Sequence, residues 1–480
     1  MSKKPFYITT TLPYVNSDPH IGFAMEIIRA DIIARAKKIA GYEVFFNTGT
    51  DEHGVKIYQK AFNSNENTQV FVDRYATKFK ELKSVLGLSD DIHFVRTTDP
   101  HHVSAAQEFW RRCDKNGFIY KKLYKTKYCP GCELEKTDVE LDDQGRCFIH
   151  PTTELILIDE ENYFFKFSAF QKPLLELYAE NPMLVVPDFR FNEIKAFVGR
   201  GLEDFSISRL ATKMPWGISV PSDDKHVMYV WFDALVNYVS TLGWPEDMKT
   251  FETFWKNGTP VQYCGKDNLR QQSAMWQAML MAAKLPPTHA IVIDGFVTGD
   301  GGVKMSKSFG NTVDPLDIVK EYGTEALRYY VARELSPFED SPFTMEKFRE
   351  AYNAHLANGV GNLTSRIMKM AEVNIKKVPV TPVIPESYDA ALARYDVKAA
   401  SDIIWSKIGK LDALIQKEEP FKKAKDSATK DHATRIIEQL VRGLADVALL
   451  LEPILPISAE IIKKCVAENK SPAQPLFLRK

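Results

Sequence analysis

Long apolar runs are missing from this 480-residue chain. Stretches such as Val447 to Ile454 fall far short of the roughly 20 residues a membrane-spanning helix needs, which argues against a transmembrane protein. An excess of charge of one sign is missing too. With 62 Lys and Arg against 63 Asp and Glu, the formal net charge is -1, so no global basic field marks a nucleic-acid partner and any RNA must meet local patches. Low-complexity tracts and internal repeats are absent. The composition, 45% hydrophobic and 26% charged, excludes a disordered or fibrous chain. The start, Met1 to Pro13, has two lysines but neither an apolar core nor a small-residue cleavage site. It does not read as a signal peptide, and the expected location is cytoplasmic. Cysteine is scarce: of six, Cys129, Cys132 and Cys147 share one short segment, which points to a metal site and not to a disulfide framework. Cys113, Cys264 and Cys465 read as buried thiols.

The length accommodates roughly three domains. Phe6 to Thr11 is β-branched and aromatic and ends at Pro13 in a polar loop, a strand feeding a loop. From His20 the apolar residues Ile21, Met25, Ile28, Ile32, Ala36 and Ile39 recur at helical spacing until Gly41. Glu43 to Thr48 is a second strand, ending in Gly49-Thr-Asp-Glu-His-Gly54. This β-α-β order predicts a parallel, Rossmann-like sheet. Residues 116–221, with the cysteine segment, read as an insertion. The sheet pattern is expected to resume at His226 to Phe232, with further strands at Val261–Cys264 and Ala290–Ile293. Beyond Pro342 helical periodicity takes over. The predicted fold is an α/β catalytic domain with a Rossmann-like parallel sheet, split by a zinc-binding insertion and followed by an all-α domain. Its halves are assigned to 1–115 and 222–290, the insertion to 116–221, a loop region to 291–350 and the helical domain to 351–480.

Two short motifs carry chemistry. Pro19-His20-Ile21-Gly22 sits at a strand-to-helix junction, where free amides and the positive end of the helix dipole suit phosphate. Gly22 lets a flat ring approach the backbone. Lys304-Met305-Ser306-Lys307-Ser308 follows Gly299-Asp-Gly-Gly302, a setting for two lysines on a mobile loop. Cations delivered by such a loop stabilise charge that builds on a departing pyrophosphate. In the insertion, Cys129-Pro-Gly-Cys132 is separated by fourteen residues from Cys147-Phe-Ile-His150. Two tight turns at that spacing close a tetrahedron around zinc with no open position, a structural site.

With both signatures in order, the sequence resembles the class I aminoacyl-tRNA synthetases, whose hallmarks are His-Ile-Gly-His and Lys-Met-Ser-Lys-Ser. Thr11-Leu-Pro-Tyr-Val-Asn16, Gly49 to Gly54, Val230-Trp-Phe-Asp-Ala234 and Gly265-Lys-Asp267 narrow the resemblance to the methionyl-tRNA synthetase family, over essentially the whole chain. The resemblance implies that methionine carboxylate attacks the α-phosphate of Mg-ATP and that the terminal ribose of tRNA(Met) then takes the aminoacyl group. It also implies residue roles: His20, Lys304 and Lys307 in catalysis; Pro19, His20, Gly22, Phe23, Gly265, Asp267, Lys304, Met305, Ser306 and Lys307 around ATP. Asp51 would hold the substrate ammonium, with Leu12, Tyr14, Trp231, Ala234, Tyr238 and Gln272 around the thioether. The knuckle would be a structural Cys3His zinc site. Asn358, Asn362 and Arg366, four residues apart beside the apolar stripe Leu356, Val360, Leu363 and Ile367, would read the CAU anticodon, with Phe421 stacking on a base. A monomer is expected.

The chain departs from the family pattern at Phe23, where a second histidine is usual, at Gln271-Gln272, where an aromatic-histidine pair is usual, and at Leu235, where proline is frequent. The pocket substitutions leave open a different amino acid, and Phe23 leaves open an RNA-binding relative that does not charge tRNA.

Overall fold

The computed structural model describes residues 3–132, 134–136, 138–302 and 313–480. Its central sheet is parallel and has six strands. The first strand, β1 (Pro5–Thr10), leads through helix α1 (Ile21–Ile39) into β2 (Glu43–Thr50), and helices α2 (Val55–Asn63) and α3 (Thr68–Val85) lead on to β3 (His93–Arg96). Across the sheet the order is β3, β2, β1, Thr259–Gly265, Ala290–Asp294 and Val185–Val186. The chain therefore winds one way from β1 and the other way from Thr259–Gly265. A crevice opens where the winding direction reverses, beyond the C-terminal ends of the strands. In register, Phe6 of β1 faces Val44 on one side and Thr259 on the other.

The structure departs from the sequence reading at His226 to Phe232. Asp223–Met228 pairs antiparallel with Ser208–Leu210 and Ser219–Val220 in a small separate sheet, and Val230–Ala234 is a short helix. β-Branched and aromatic residues there fit a strand, but tertiary context decides. The Tyr229 amide closes the ladder on the Ile207 carbonyl, and the chain turns into the helix that carries Trp231 and Ala234. The sixth strand of the main sheet is Val185–Val186, two residues inside the 116–221 stretch and paired with Ile291 and Val292. The first part of that stretch forms a ribbon, Ile119–Cys129 against Ile156–Phe165, with Leu134–Lys136 beside Cys129, and two helices, Gln171–Glu180 and Asp188–Gly199, flank Val185–Val186. No described helix is long and apolar enough to cross a membrane.

Helix α1 runs through the centre of the molecule and is buried over most of its length. Three of its buried side chains, Glu26, Arg29 and Asp31, are ionisable. Arg29 forms an ion pair with Asp294 at 3.2 Å and donates to the carbonyls of Val331, Leu335 and Ser336. Asp31 pairs with Arg328 at 2.8 Å, and Arg328 in turn donates to the carbonyls of Pro453 and Ile454. These bonds join the sheet to the C-terminal helices, of which Val397–Glu418, Lys430–Leu451 and Pro456–Glu468 are the longest after Gly361 apart from Asn362–Asn374. Glu26 accepts from the amide and hydroxyl of Thr11 at 2.8 and 2.6 Å. Burial pushes its carboxyl up to about 8, against the bonds from Thr11 and helped by the charge of Asp294.

The Glu26 carboxyl thus binds its proton more tightly in the folded chain than in the unfolded one, where it titrates near 4.5. Its contribution is full below about 4.5, is lost as pH rises towards about 8, and changes no further above. In urea unfolding, Glu26→Gln should therefore gain stability relative to wild type between pH 5 and pH 8. A difference that stays constant over that range would show that Glu26 is ionised in the fold.

Candidate active site

The ends of four neighbouring strands meet at one cavity of about 500 Å3. Leu12 and Tyr14 follow β1; His20, Gly22 and Phe23 open α1; Asp51 follows β2; Gly265 ends Thr259–Gly265, with Asp267 and Gln272 after it; and Trp231, Ala234 and Tyr238 come from the short helices after the small sheet. These twelve positions, far apart in sequence, are among those the sequence reading assigned to ATP and methionine. Pro19 is absent from the lining. Lys304, Met305, Ser306 and Lys307 lie outside the described residues.

Asp51 is held by backbone on both sides: its amide donates to the Pro13 carbonyl, and its carbonyl accepts from the Val15 amide. Its neighbours explain the motif. Glu52, fully buried, accepts a two-pronged pair from Arg96 at 2.7 and 2.8 Å and a hydroxyl from Thr98. His53 lies 3.2 Å from Asp233, tying this loop to the helix that bears Trp231. Burial works against the charge of Asp233, but His53 and His102 outweigh it and hold its carboxyl below the usual range. A Cβ at Gly49 would lie 1.8 Å from the Val95 carbonyl oxygen, so only glycine lets β2 close against β3 there. Asp51, whose carboxylate accepts from the His53 amide at 3.4 Å, is buried at the cavity wall, an anionic group suited to a primary ammonium.

At the other end, His20 caps α1, its Nδ1 accepting from the Gly22 amide at 3.1 Å. In the neutral ring this places the hydrogen on Nε2, a donor at the positive end of the helix. Phe23 is 8% exposed, its ring edge-on to Phe79 at 5.4 Å. The phenyl group is therefore anchored in the core beside the cavity, where burying an aromatic side chain contributes about 1.5–3 kcal/mol.

The sequence reading missed Glu26 and Asp294, which line the inner end of the cavity. Burial raises the Asp294 carboxyl to about 6, against the pull of Arg29. The position of Asp294 at the end of its strand was the available signal. Also missed were Lys56, Gly131, Cys132, Ile149 and His150 as cavity lining. Among the described residues, Trp231 Nε1 and Gln271 Oε1 are buried without a hydrogen-bond partner, leaving a donor and an acceptor for an occupant.

Cys129, Cys132, Cys147 and His150 converge, with one ligand atom from each and all of these within 4.8 Å of one another. Cys132 Sγ is 3.5 Å from Cys147 Sγ and 3.2 Å from His150 Nδ1. Separations of that size and a donor set of three thiols and one imidazole fit a tetrahedral zinc site. Gly131 is required here, because a Cβ would lie 2.4 Å from the His150 ring. Lys56 of α2 donates to the Gly131 carbonyl at 3.0 Å, which docks the knuckle at the cavity mouth.

In the helical region Leu356, Val360, Leu363 and Ile367 are buried, while Asn358 and Asn362 are exposed and Arg366 is half-buried. Arg366 pairs with Asp412 at 2.5 Å. The segment Tyr352–Gly361 has wide π-type turns, and the backbone leaves helical geometry at Gly359 before α-helix resumes at Asn362–Asn374. Phe421 is 43% exposed.

The family profile described as tRNA synthetases class I (M) matches residues 6–147 and 131–368. The methionine–tRNA ligase of Thermotoga maritima is 36% identical over 98% of this chain and 76% of its own length. That of Thermosynechococcus vestitus is 44% identical over 76% of this chain and 69% of its own. Among solved structures, the methionyl-tRNA synthetase of Mycobacterium tuberculosis in complex with methionyl-adenylate superposes with a TM-score of 0.89, at 32% identity and over 99% of each chain. The His20 to Gly22 signature on a reversed parallel sheet, the cavity at its strand ends and a Cys3His knuckle beside it agree with these matches: the chain belongs to the methionyl-tRNA synthetase family of class I tRNA synthetases.

Proposed function

We propose that the protein is a methionine–tRNA ligase: it activates L-methionine with ATP and transfers it to tRNA(Met). The observation that carries this reading is the single cavity in which Asp51, the aromatic pocket and the His20 junction stand together. Asp51 holds the ammonium. Leu12, Tyr14, Trp231, Ala234 and Tyr238 receive a linear, polarizable side chain, for which sulfur-aromatic contacts contribute about 0.3–1.5 kcal/mol each. The carboxylate then faces the α-phosphate, with the Nε2 hydrogen of His20 and the first-turn amides of α1 directed at the phosphates. Gly265 and Asp267 border the nucleoside.

In the first step a carboxylate oxygen bonds to the α-phosphorus in line, and the bond to the bridging oxygen breaks, releasing pyrophosphate. In the second, a terminal ribose hydroxyl of the tRNA bonds to the activated carbonyl carbon, loses its proton, and AMP leaves. Neither step needs a nucleophile from the protein, so catalysis is positioning and charge stabilisation. Lys304 and Lys307 are assigned to the departing pyrophosphate. Mg2+ accompanying ATP spreads the charge of its phosphates. Cys129, Cys132, Cys147 and His150 would hold structural zinc, which fixes the knuckle that Lys56 docks at the cavity mouth. Asn358, Asn362, Arg366 and Phe421 are assigned to the anticodon, with Asp412 pairing with Arg366 until RNA replaces it. Charged tRNA is used in the cytoplasm, the compartment we assign.

Amino-acid-dependent ATP–pyrophosphate exchange over all the proteinogenic amino acids should show exchange with methionine alone. Asp51→Asn should raise the KM for methionine at least about tenfold while leaving that for ATP nearly unchanged, as expected for loss of a charge-assisted contact. Exchange driven by another amino acid would contradict the substrate, and an unchanged KM would contradict the role of Asp51.

Purified protein should contain about one zinc ion per chain. Stripping it with a chelator should lower the melting temperature, and Cys132→Ser should purify with less metal. A metal-free protein with the same melting temperature would refute the site. Arg366→Ala should reduce discrimination for the CAU anticodon in charging assays, and equal discrimination by both proteins would remove Arg366 from recognition.

A further inference from the structure

Behind the cavity lies a row of buried neutral side chains that the activation chemistry does not use. Its far end is anchored by groups whose direction is unambiguous. The Thr288 amide, which can only donate, meets Gln277 Oε1 at 3.0 Å, and Gln277 Nε2 donates to the Gln272 carbonyl, which can only accept. The orientation of the Gln277 amide is thereby settled. Gln277 Nε2 also reaches Thr288 Oγ1 at 3.0 Å. Having accepted that hydrogen, the Thr288 hydroxyl donates its own to Gln262 Oε1 at 2.5 Å. Gln262 consequently turns its Nε2 to Gln272 Oε1, 2.5 Å away, and Gln272 turns its Nε2 to the Tyr238 hydroxyl oxygen at 2.6 Å. Gln262, Gln272, Gln277, Thr288 and Tyr238 are all 2% exposed or less, so water does not compete for these bonds.

One consequence falls on Tyr238. Its ring packs edge-on against Trp276 at 5.8 Å, and its own carbonyl accepts from Tyr7, so the side chain has little freedom. Burial pushes its phenol far above the usual range, so it keeps its hydrogen. Its oxygen accepts from Gln272 at 2.6 Å, and Gln262 also acts on it as a side-chain donor. The phenolic hydrogen is thus turned away from Gln272, and both Tyr238 and Gln272 line the cavity.

We propose that Thr288, Gln277 and Gln262 are positioning residues for substrate selection: their one-way hydrogen-bond relay through Gln272 presents the Tyr238 hydroxyl as a donor to the side chain in the pocket. The pocket then favours a linear side chain carrying a soft acceptor over a hydrocarbon of the same length. A thioether sulfur is such an acceptor, and the methylene that replaces it in norleucine is not. This inference rests on the reading of the cavity as a methionine site.

Thr288→Val keeps the shape of the side chain and removes the donor at the head of the relay. Gln262 is then free to reverse its amide, Gln272 reverses in turn, and the Tyr238 hydrogen is drawn to Gln272 Oε1 and away from the substrate. Thr288→Ser keeps the hydroxyl. The measurement is pyrophosphate exchange with methionine and with norleucine on the same sample of each variant, so that any inactive fraction cancels in the ratio of the two kcat/KM values. We expect Thr288→Val to lower the methionine-to-norleucine ratio about tenfold, equivalent to about 1.4 kcal/mol, chiefly through the methionine KM. Thr288→Ser should hold the wild-type ratio. A ratio unchanged in Thr288→Val, or lowered equally in Thr288→Ser, overturns the relay while leaving the ligase reading intact. Absence of methionine-dependent exchange in the unsubstituted protein overturns both.

Discussion

The Arg29 guanidinium, buried at the centre of α1, is the constraint around which the molecule is arranged. A buried cation needs partners, and those it finds come from opposite parts of the chain: Asp294 at the end of a sheet strand and three carbonyls between Val331 and Ser336. One group therefore joins the floor of the cavity to the start of the helical region. Two residues further along α1, Asp31 repeats the arrangement from the other sign, gathering Arg328, Arg35 and Ser89. Glu26, on the preceding turn, secures Thr11 where β1 gives way to the cavity wall. A helix that crosses the core with three buried ionisable side chains, two of them in ion pairs, holds sheet, cavity and helical region in one fixed relation.

That rigidity suits chemistry done by placement. The residues around the cavity come from strand ends and short helices whose backbones are pinned by neighbours: Asp51 by Pro13 and Val15, the adjoining loop by Glu52 and Arg96, Trp231 through Asp233 and His53. In the proposed reading, the side chains around the thioether are neutral and Asp51 supplies the charge that meets the ammonium. The glutamine relay fits this division, since it carries hydrogen-bond direction across the core with no net charge to desolvate.

Much of this was legible in the sequence because the informative residues are local. His20 to Gly22 follows a recognisable strand and opens a recognisable helix, and the four metal-binding candidates lie in two short turns. The family resemblance supplied the remainder of the pocket, and the structure brings Leu12, Tyr14, Asp51, Trp231, Ala234, Tyr238 and Gln272 to one cavity. The illegible parts depend on contacts distant in sequence. Glu26, Arg29 and Asp31 look like the solvent face of an amphipathic helix, and only the packing of both sides of α1 shows them to be buried. Val185–Val186 is too short to carry a strand pattern, and His226 to Phe232 carries one that tertiary structure divides between a different sheet and a helix. Lys304 to Ser308, so prominent in the sequence, lies outside the described residues.

The account stands most directly on where the reacting groups sit. A crystal structure of the protein with a non-hydrolysable methionyl-adenylate analogue should show the ammonium on Asp51, the thioether sulfur within reach of the Tyr238 hydroxyl, the phosphate at the His20 end of α1 and the adenosine beside Gly265 and Asp267. An analogue bound elsewhere, or bound here with its side chain directed away from Trp231 and Tyr238, would contradict it.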